Sequence, residues 1–333
     1  NGENLLCRLE EKDQQPIVDQ HIERLVKSED GTGTLQRVTR ADEVMAWAGR
    51  SGEVDLVDDY HIARTWDQDR DSTTRLGVAA AFEVLRDAWM PLVEERRSVS
   101  NGRTLHEGFK LPAALGRDTG IIFASAFAGY NRLVELMGHA GNGTPFARST
   151  LLQILGLGHA HIAEVLGAMG PNTLINSACA STTTAVALAQ DWIRAGRCKR
   201  VIVVGADDVT SPQMLPWIGG GFLALGAATT EKDLQRAAVP FGKERNGMIL
   251  GMGAAALLVE SAESARQRGV HPRAEVVATR LANSAAPPLR LRPDHIAEEV
   301  DELVEETTRR LGIDRATLAR ELEARGEIQP MAI

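Results

Sequence analysis

Cys179 is the residue in this chain best placed to do chemistry. It follows an apolar stretch, Thr173-Leu174-Ile175-Asn176-Ser177, and is flanked by Ala178, Ala180 and Ser181. A helix of small residues is expected from Thr182 to about Ala195, closed by Gly196. A cysteine between a strand and a helix meets three chemical requirements. A sharp turn exposes its side chain and tolerates only small neighbours, as in the nucleophile elbows of hydrolases. The helix N-terminus favours the thiolate. Free amides at that terminus stabilise a developing oxyanion. A cysteine in such a place is also compatible with burial as a small hydrophobe. Cys7 and Cys198 lack this setting.

Eight histidines are candidate bases. His159 and His161 precede the cysteine on an expected helix, where a solvated or core role competes with a catalytic one. Three cysteines without a CxxC pair point to neither a disulfide framework nor a zinc site, so no metal is expected. Asp30-Gly31-Thr32-Gly33 reads as a turn; a polar segment precedes it, which argues against a phosphate cradle.

The elements needed to position Cys179 are legible around it. Strands are expected at Thr119–Ser125, Thr173–Ser177, Arg200–Val204, Gly253–Glu260 and Ala274–Leu281. Leu76, Ala79, Ala80, Phe82, Leu85 and Trp89 recur at helical spacing. Further helices are expected at Ser149–Leu155, His159–Leu166 and Ala262–Gln267. Asp294 is expected to cap a helix over His295–Leu311, and Asp314 one over Arg315 to about Ala324. Near the start, Glu3–Leu6 and Ile22–Val26 suggest short helical patterns. Residues 92–118 read as a basic loop, Gly138–Gly143 as a surface loop, and residues 211–238 as a loop with short helices. Strands alternating with helices argue for an α/β layered fold. The strands from 119 onward are nearly continuous apolar runs, as when both faces are covered.

Taken as a block, Gly170-Pro171-Asn172-Thr173-Leu174-Ile175-Asn176-Ser177-Ala178-Cys179-Ala180-Ser181-Thr182 resembles the active-site segment of β-ketoacyl synthases, the condensing enzymes of fatty-acid and polyketide assembly. Pro240-Phe241-Gly242-Lys243-Glu244-Arg245-Asn246-Gly247-Met248-Ile249-Leu250-Gly251-Met252-Gly253-Ala254 is similar to that family's glycine-rich block. Val201 to Ala206 lies between the two in the family's order, and Ile121 to Gly129 is similar to its strand and glycine turn upstream. The resemblance covers roughly residues 70–290; the flanks look more like ketosynthase domains of multidomain type I synthases.

The resemblance implies a thiolase-like layered fold (α-β-α-β-α), with the N-terminal half mostly present and the C-terminal half incomplete. It divides the chain into an N-terminal extension at 1–72, a nucleophile-bearing half at 73–260, and the start of a C-terminal half at 261–333. It implies that Cys179 accepts an acyl chain and that carrier-bound malonyl then condenses with it. The Cys179 amide would serve the oxyanion, and Ser177, Ala178, Ala180, Gly247, Gly251 and Gly253 would shape the site. The implied partners are an acyl carrier protein, with substrates on its phosphopantetheine and no tightly bound cofactor, and a second copy of the chain in a homodimer, paired near residues 173–177. The implied context is a longer multidomain synthase, and the sparse, unpaired cysteines make a cytoplasmic setting the expectation.

Gly242 stands where the family has Asp, and Met248 where it has an aromatic residue. The family also uses two histidines after the strand that Ala274–Leu281 resembles; here only His295 follows it, in a different context. The expectation is therefore a domain truncated at both ends, competent for acylation but not for full condensation. Two other readings remain open: a non-catalytic ketosynthase-like partner, and a cysteine thioesterase or hydrolase, which needs a histidine and an acid at Cys179.

Composition limits the alternatives. The chain has 333 residues and a net charge of −8. Its acidity and 4% aromatic content disfavour nucleic-acid binding. No apolar run approaches the ~18–20 residues that span a bilayer, and the polar first ten residues show no signal peptide.

Overall fold

A computed structural model describes residues 4–27, 32–68, 70–98, 100, 104–138, 148–287 and 290–324. In chain order, β1 (Asn4–Arg8) leads into α1 (Glu11–Val18), the ribbon β2 (Glu23–Lys27) and β3 (Gly33–Arg37), and β4 (Trp47–Ser51). Two short turns, α2 (Leu56–Tyr60) and α3 (Arg64–Asp67), precede α4 (Ser72–Asp87), the ribbon β5 (Val93–Ser98) and β6 (Thr104–Lys110), and α5 (Ala113–Arg117). The centre comprises β7 (Thr119–Ala124), α6 (Tyr130–Gly138), α7 (Arg148–Ile154), α8 (Gly158–Leu166), β8 (Asn172–Ile175), α9 (Ser181–Arg194) and β9 (Arg200–Asp208). α10 (Gly220–Ala224) and β10 (Leu250–Glu260) are followed by α11 (Ala262–Gln267), α12 (Pro293–Leu311) and α13 (Arg315–Ala324).

Six strands form one mixed sheet in the order β1-β4-β10-β9-β7-β8. β7, β8 and β9 run parallel, and β10 runs antiparallel to β9. The alternation of side chains along β7 explains the layering. Ile121 and Phe123 face one side, with Phe82, Leu85, Ile162 and Leu166 of α4 and α8. Ile122 and Ala124 face the other, with Ala185 and Ala189 of α9. All six β7 residues are buried, as the continuous apolar run required. A third core, around Ile17, Met45, Leu215 and Leu223, packs the N-terminal elements against the chain before β10.

α4 starts where its sequence allows: the Asp71 carboxylate accepts from the Thr74 amide at 3.0 Å and the Thr74 hydroxyl at 2.7 Å. At the far end of β9 and β10, Glu260 lies between two arginines. Its carboxylate accepts from Arg200 Nε at 2.9 Å, Arg268 Nη2 at 2.9 Å and Ser264 Oγ at 2.8 Å.

Several expectations are corrected. Residues 4–8 and 23–27 are strands, not helical patterns, because each is held by a neighbour across a ladder. Residues 92–118 contain a paired ribbon and a short helix instead of a loop. Trp89 lies beyond α4, 84% exposed with φ +53°, outside the helical stripe. Ala274–Leu281 is not a strand. Two of its carbonyls are taken by side chains, Gln190 Nε2 at Val276 and Arg310 Nη1 at Val277, at 2.6 and 2.8 Å. α12 is entered from Arg292 with Pro293 in its first turn; Asp294 lies inside the helix, beside its positive end, and is not the cap. Asp314 does cap α13, accepting from the Thr317 amide at 2.7 Å. Of the turn Asp30-Gly31-Thr32-Gly33, the first two residues lie outside the described residues and Gly33 begins β3; of the loop Gly138–Gly143, Gly138 ends α6 and 139–143 lie outside them.

Candidate active site

Ligands of α/β proteins gather where parallel strands end, and the site forms at that end of this sheet. Ile175 of β8, Ala124 of β7 and Gly205 of β9 lie in one row across it. Beyond that row β8 turns into α9, β7 turns towards α6, and β9 ends in Asp207 and Asp208. β10 runs the other way, so it is its beginning that reaches this end, with Gly253 opposite Asp207 and Met252 opposite Asp208.

Cys179 is exposed at the turn between β8 and α9. The preceding residue, Ala178, has φ +49°. That left-handed conformation costs a non-glycine residue about 1–2 kcal/mol, so the surroundings must hold it. They do so at both ends of the residue. The Ala178 amide donates to Asn176 Oδ1 at 3.1 Å. The Ala178 carbonyl accepts from Ser181 Oγ at 2.6 Å and from the Ser181 amide at 3.1 Å. Ser181 Oγ in turn accepts from the Ser177 amide at 2.9 Å, and Ala180 N donates to Ser177 O at 3.1 Å. Ser177, Ala178 and Ala180 thus lie in the turn where the sequence places them. The Cys179 amide donates to no group among the described residues, which leaves it available to an oxyanion at the start of α9.

The support behind the turn comes from β7 and β9. Asp207 accepts from Ser125 Oγ at 2.8 Å and from the amides of Ala126 and Phe127 at 3.1 and 2.9 Å. Asp208 is buried and accepts from Ser72 Oγ at 2.5 Å and from the Thr210 and Ser211 amides at 3.2 and 3.0 Å. A Cβ at Gly205 would come within 2.7 Å of Thr182 Oγ1, so this glycine lets the first turn of α9 lie close over β9. Asn176, Ser125, Asp207 and Asp208 were not singled out from the sequence. Two adjacent acids at a strand's C-terminal end were the available signal.

The three glycines differ. Gly247 has φ +121°, and a Cβ there would lie 2.8 Å from Ala227 O and 2.9 Å from Thr229 N. Gly247→Ala is therefore expected to lower stability by about 2–3 kcal/mol, read as a drop in urea midpoint; an unchanged midpoint would mean that this loop does not hold the backbone described. At Gly251 a Cβ would meet only Gly49, at 3.7 Å, which is ordinary contact. Gly253 is fixed by its pairing with Asp207.

The histidines are held elsewhere. His161 packs edge-on against Trp66 at 5.9 Å and lies 3.6 Å from Glu164. Burial lowers its pKa, and the charge of Arg70 adds to this against the pull of Glu164. His159 is lowered by burial alone. His295 lies 3.8 Å from Glu299, on its own helix. Among the described residues, no imidazole is hydrogen-bonded or ring-packed to residues 176–181. Among the described residues, the histidine and acid that a cysteine hydrolase requires are therefore not assembled at the turn. No group of three histidine, cysteine or acidic residues suited to a metal occurs among the described residues. Nor is any of their helices long and apolar enough to cross a membrane.

Comparison with known proteins agrees with the geometry. Residues 15–265 match the family model described as β-ketoacyl synthase, N-terminal domain. The chain is 26% identical over 253 residues to 3-oxoacyl-(acyl-carrier-protein) synthase 2 of Staphylococcus aureus, covering 74% of this chain and 57% of that protein. It is 38% identical over 117 residues to the chloroplastic 3-oxoacyl-(acyl-carrier-protein) synthase I of Arabidopsis thaliana, covering 35% of this chain and 24% of that one. The chain thus spans little more than half the length of the S. aureus relative. Among solved structures, the ishigamide ketosynthase/chain length factor superposes with a TM-score of 0.63 at 21% identity, over 91% of this chain and 66% of that one. That likeness gives the thiolase-like layered fold. With the model spanning most of its length and Cys179 at the turn after β8, the chain belongs to the β-ketoacyl synthase family and carries its N-terminal domain.

Proposed function

We propose that Cys179 is the acyl-accepting nucleophile of a β-ketoacyl synthase that extends polyketide or fatty-acyl chains. The observation that carries this is the exposed Cys179 in a side-chain-braced turn, with its own amide unpaired among the described residues, at the start of α9. The thiolate attacks the carbonyl of a carrier-bound thioester. The tetrahedral oxyanion is held by the Cys179 amide, and its collapse forms the new C–S bond and expels the pantetheine thiol, which takes up a proton. In the complete enzyme, carrier-bound malonyl then loses carbon dioxide, and the resulting carbanion attacks the Cys179 thioester and frees the sulfur.

Within the described residues, the geometry supports the acylation step. The decarboxylation step needs bases that the family places in its second half. The α9 side of β10 agrees with such a division: Leu257, in mid-sheet on that side, is 53% exposed. We read residues 73–260 as the nucleophile-bearing half, 1–72 as the segment that precedes it and lends β1 and β4 to the sheet, and 261–333 as the entry to the second half.

The partner is an acyl carrier protein, as named for one structural neighbour, a type II polyketide carrier protein in complex with its ketosynthase. Substrates arrive on its phosphopantetheine arm, in the cytoplasm. β8 is an edge strand of the sheet, which favours pairing of two copies there as a homodimer. Incubation with an acyl N-acetylcysteamine thioester tests the reading. Intact mass should rise by one acyl group, mapped by digestion to the peptide containing Cys179. No adduct would overturn it.

A further inference from the structure

We propose that Asn176 is a positioning residue for Cys179: its carboxamide ties the amide of Ala178 to the carbonyl of Ala126 and so fixes where the cysteine sulfur and amide point. This rests on reading Cys179 as the acyl acceptor. Asn176 Oδ1 accepts from the Ala178 amide at 3.1 Å, and Asn176 Nδ2 donates to Ala126 O at 3.0 Å. One planar group thereby supplies both an acceptor and a donor. The first bond closes a side-chain turn over the residue that is in the left-handed region, Ala178 at φ +49°. The second bond reaches a peptide that is itself fixed, because the Ala126 amide donates to Asp207 at 3.1 Å and the next amide, of Phe127, donates to it at 2.9 Å. The turn carrying the cysteine is thus linked through Asn176 to the end of β9, two strands away in the sheet.

Asn176 is exposed. Its removal leaves no cavity and strips no buried group of its only partner, so the fold does not depend on it. What depends on it is the angle of the Ala178 peptide, and with it the direction of the Cys179 amide. Acyl transfer uses that amide on the oxyanion; simple alkylation of the thiolate does not. The two reactions at one sulfur therefore separate positioning from structural support.

The full chain, Asn176→Ala and Asn176→Asp are reacted with an acyl N-acetylcysteamine thioester and, separately, with iodoacetamide. Rates are followed by intact mass, with melting temperatures measured alongside. In Asn176→Ala the acylation rate is expected to fall about 10- to 100-fold, the scale of a misplaced reacting group. Iodoacetamide alkylation and the melting temperature should change little. Asn176→Asp keeps the acceptor for Ala178 and loses the donor to Ala126, so at a pH where the thiol is ionised its acylation rate should fall between the other two. It also serves as the test variant if Asn176→Ala does not fold. Equal losses in acylation and alkylation, or acylation at the wild-type rate in both variants, would overturn the proposal. A wild-type chain that takes no acyl group would instead remove the reading of Cys179 itself.

Discussion

Cys179→Ala is expected to abolish covalent capture of an acyl group while leaving the fold intact. The expectation follows from the different surroundings of the three thiols. Cys179 is exposed. Cys198 is buried under α9, and burial pushes its thiol pKa up, away from the reactive thiolate. Cys7 is half-buried, with its thiol donating to Ala48 O at 3.5 Å across the β1–β4 ladder. A thioester therefore meets one accessible sulfur, and removing it should take the yield from one acyl group per chain to none. The hydrogen bonds of the turn are made by Asn176, Ser177, Ala178, Ala180 and Ser181, none by the Cys179 side chain. Stability should accordingly stay within about 0.5 kcal/mol of wild type, as for exposed substitutions generally. Intact-mass spectra and a urea titration of both proteins read the two quantities. An adduct of equal yield in Cys179→Ala would place the nucleophile elsewhere.

The second large effect lies at the opposite end of the strands. Glu260, Arg200 and Arg268 form a triad in which the side chains are 7%, 3% and 14% exposed. Glu260→Ala leaves two guanidinium groups without the carboxylate that neutralises them, one of them almost fully buried. Breaking a buried pair from one side costs about 3–5 kcal/mol, so a drop of that size in unfolding free energy is expected. The triad also gives stability a direction in pH. Burial alone would raise the Glu260 carboxyl above its ordinary value of 4.5, but hydrogen bonds from Arg268, Arg200 and Ser264 together outweigh it and hold the pKa below that value. A carboxylate depressed by folding stabilises the protein above its unfolded pKa, and this is lost as pH falls through the folded value. Urea midpoints from pH 7 down to pH 3 should therefore fall more steeply in wild type than in Glu260→Gln. Parallel curves would show that the triad makes no net contribution.

The elements that could be read from sequence are those whose causes are local. β7 announces itself through the apolar run of β-branched Ile121 and Ile122 with Phe123, and α4 through its spacing. The Cys179 turn is equally local, since its demands fall on small residues next to the cysteine. The ribbons β2–β3 and β5–β6 are different. They carry charge on both faces, show no alternation, and owe their strand state to pairing across a turn. Ala274–Leu281 misleads in the opposite way: its residues favour a strand, but α9 and α12 occupy its carbonyls. The residues that brace the site were hidden for a related reason. Ala126 meets both Asn176 and Asp207 only because the register of β8, β7 and β9 brings together segments distant in the chain.

The reversed direction of β10 has an evolutionary consequence. β9 leaves the sheet and β10 enters it at the same end, with Asp208 and Met252 as paired neighbours. Everything between them is one excursion tied off at its neck, and its residues Leu215, Leu223 and Leu250 pack into the core around Ile17 and Met45. A lineage can vary the parts of that excursion outside this core without touching β7, β8 and β9, the strands that hold the nucleophile. Chimaeras that exchange those parts therefore need to keep Leu215, Leu223 and Leu250.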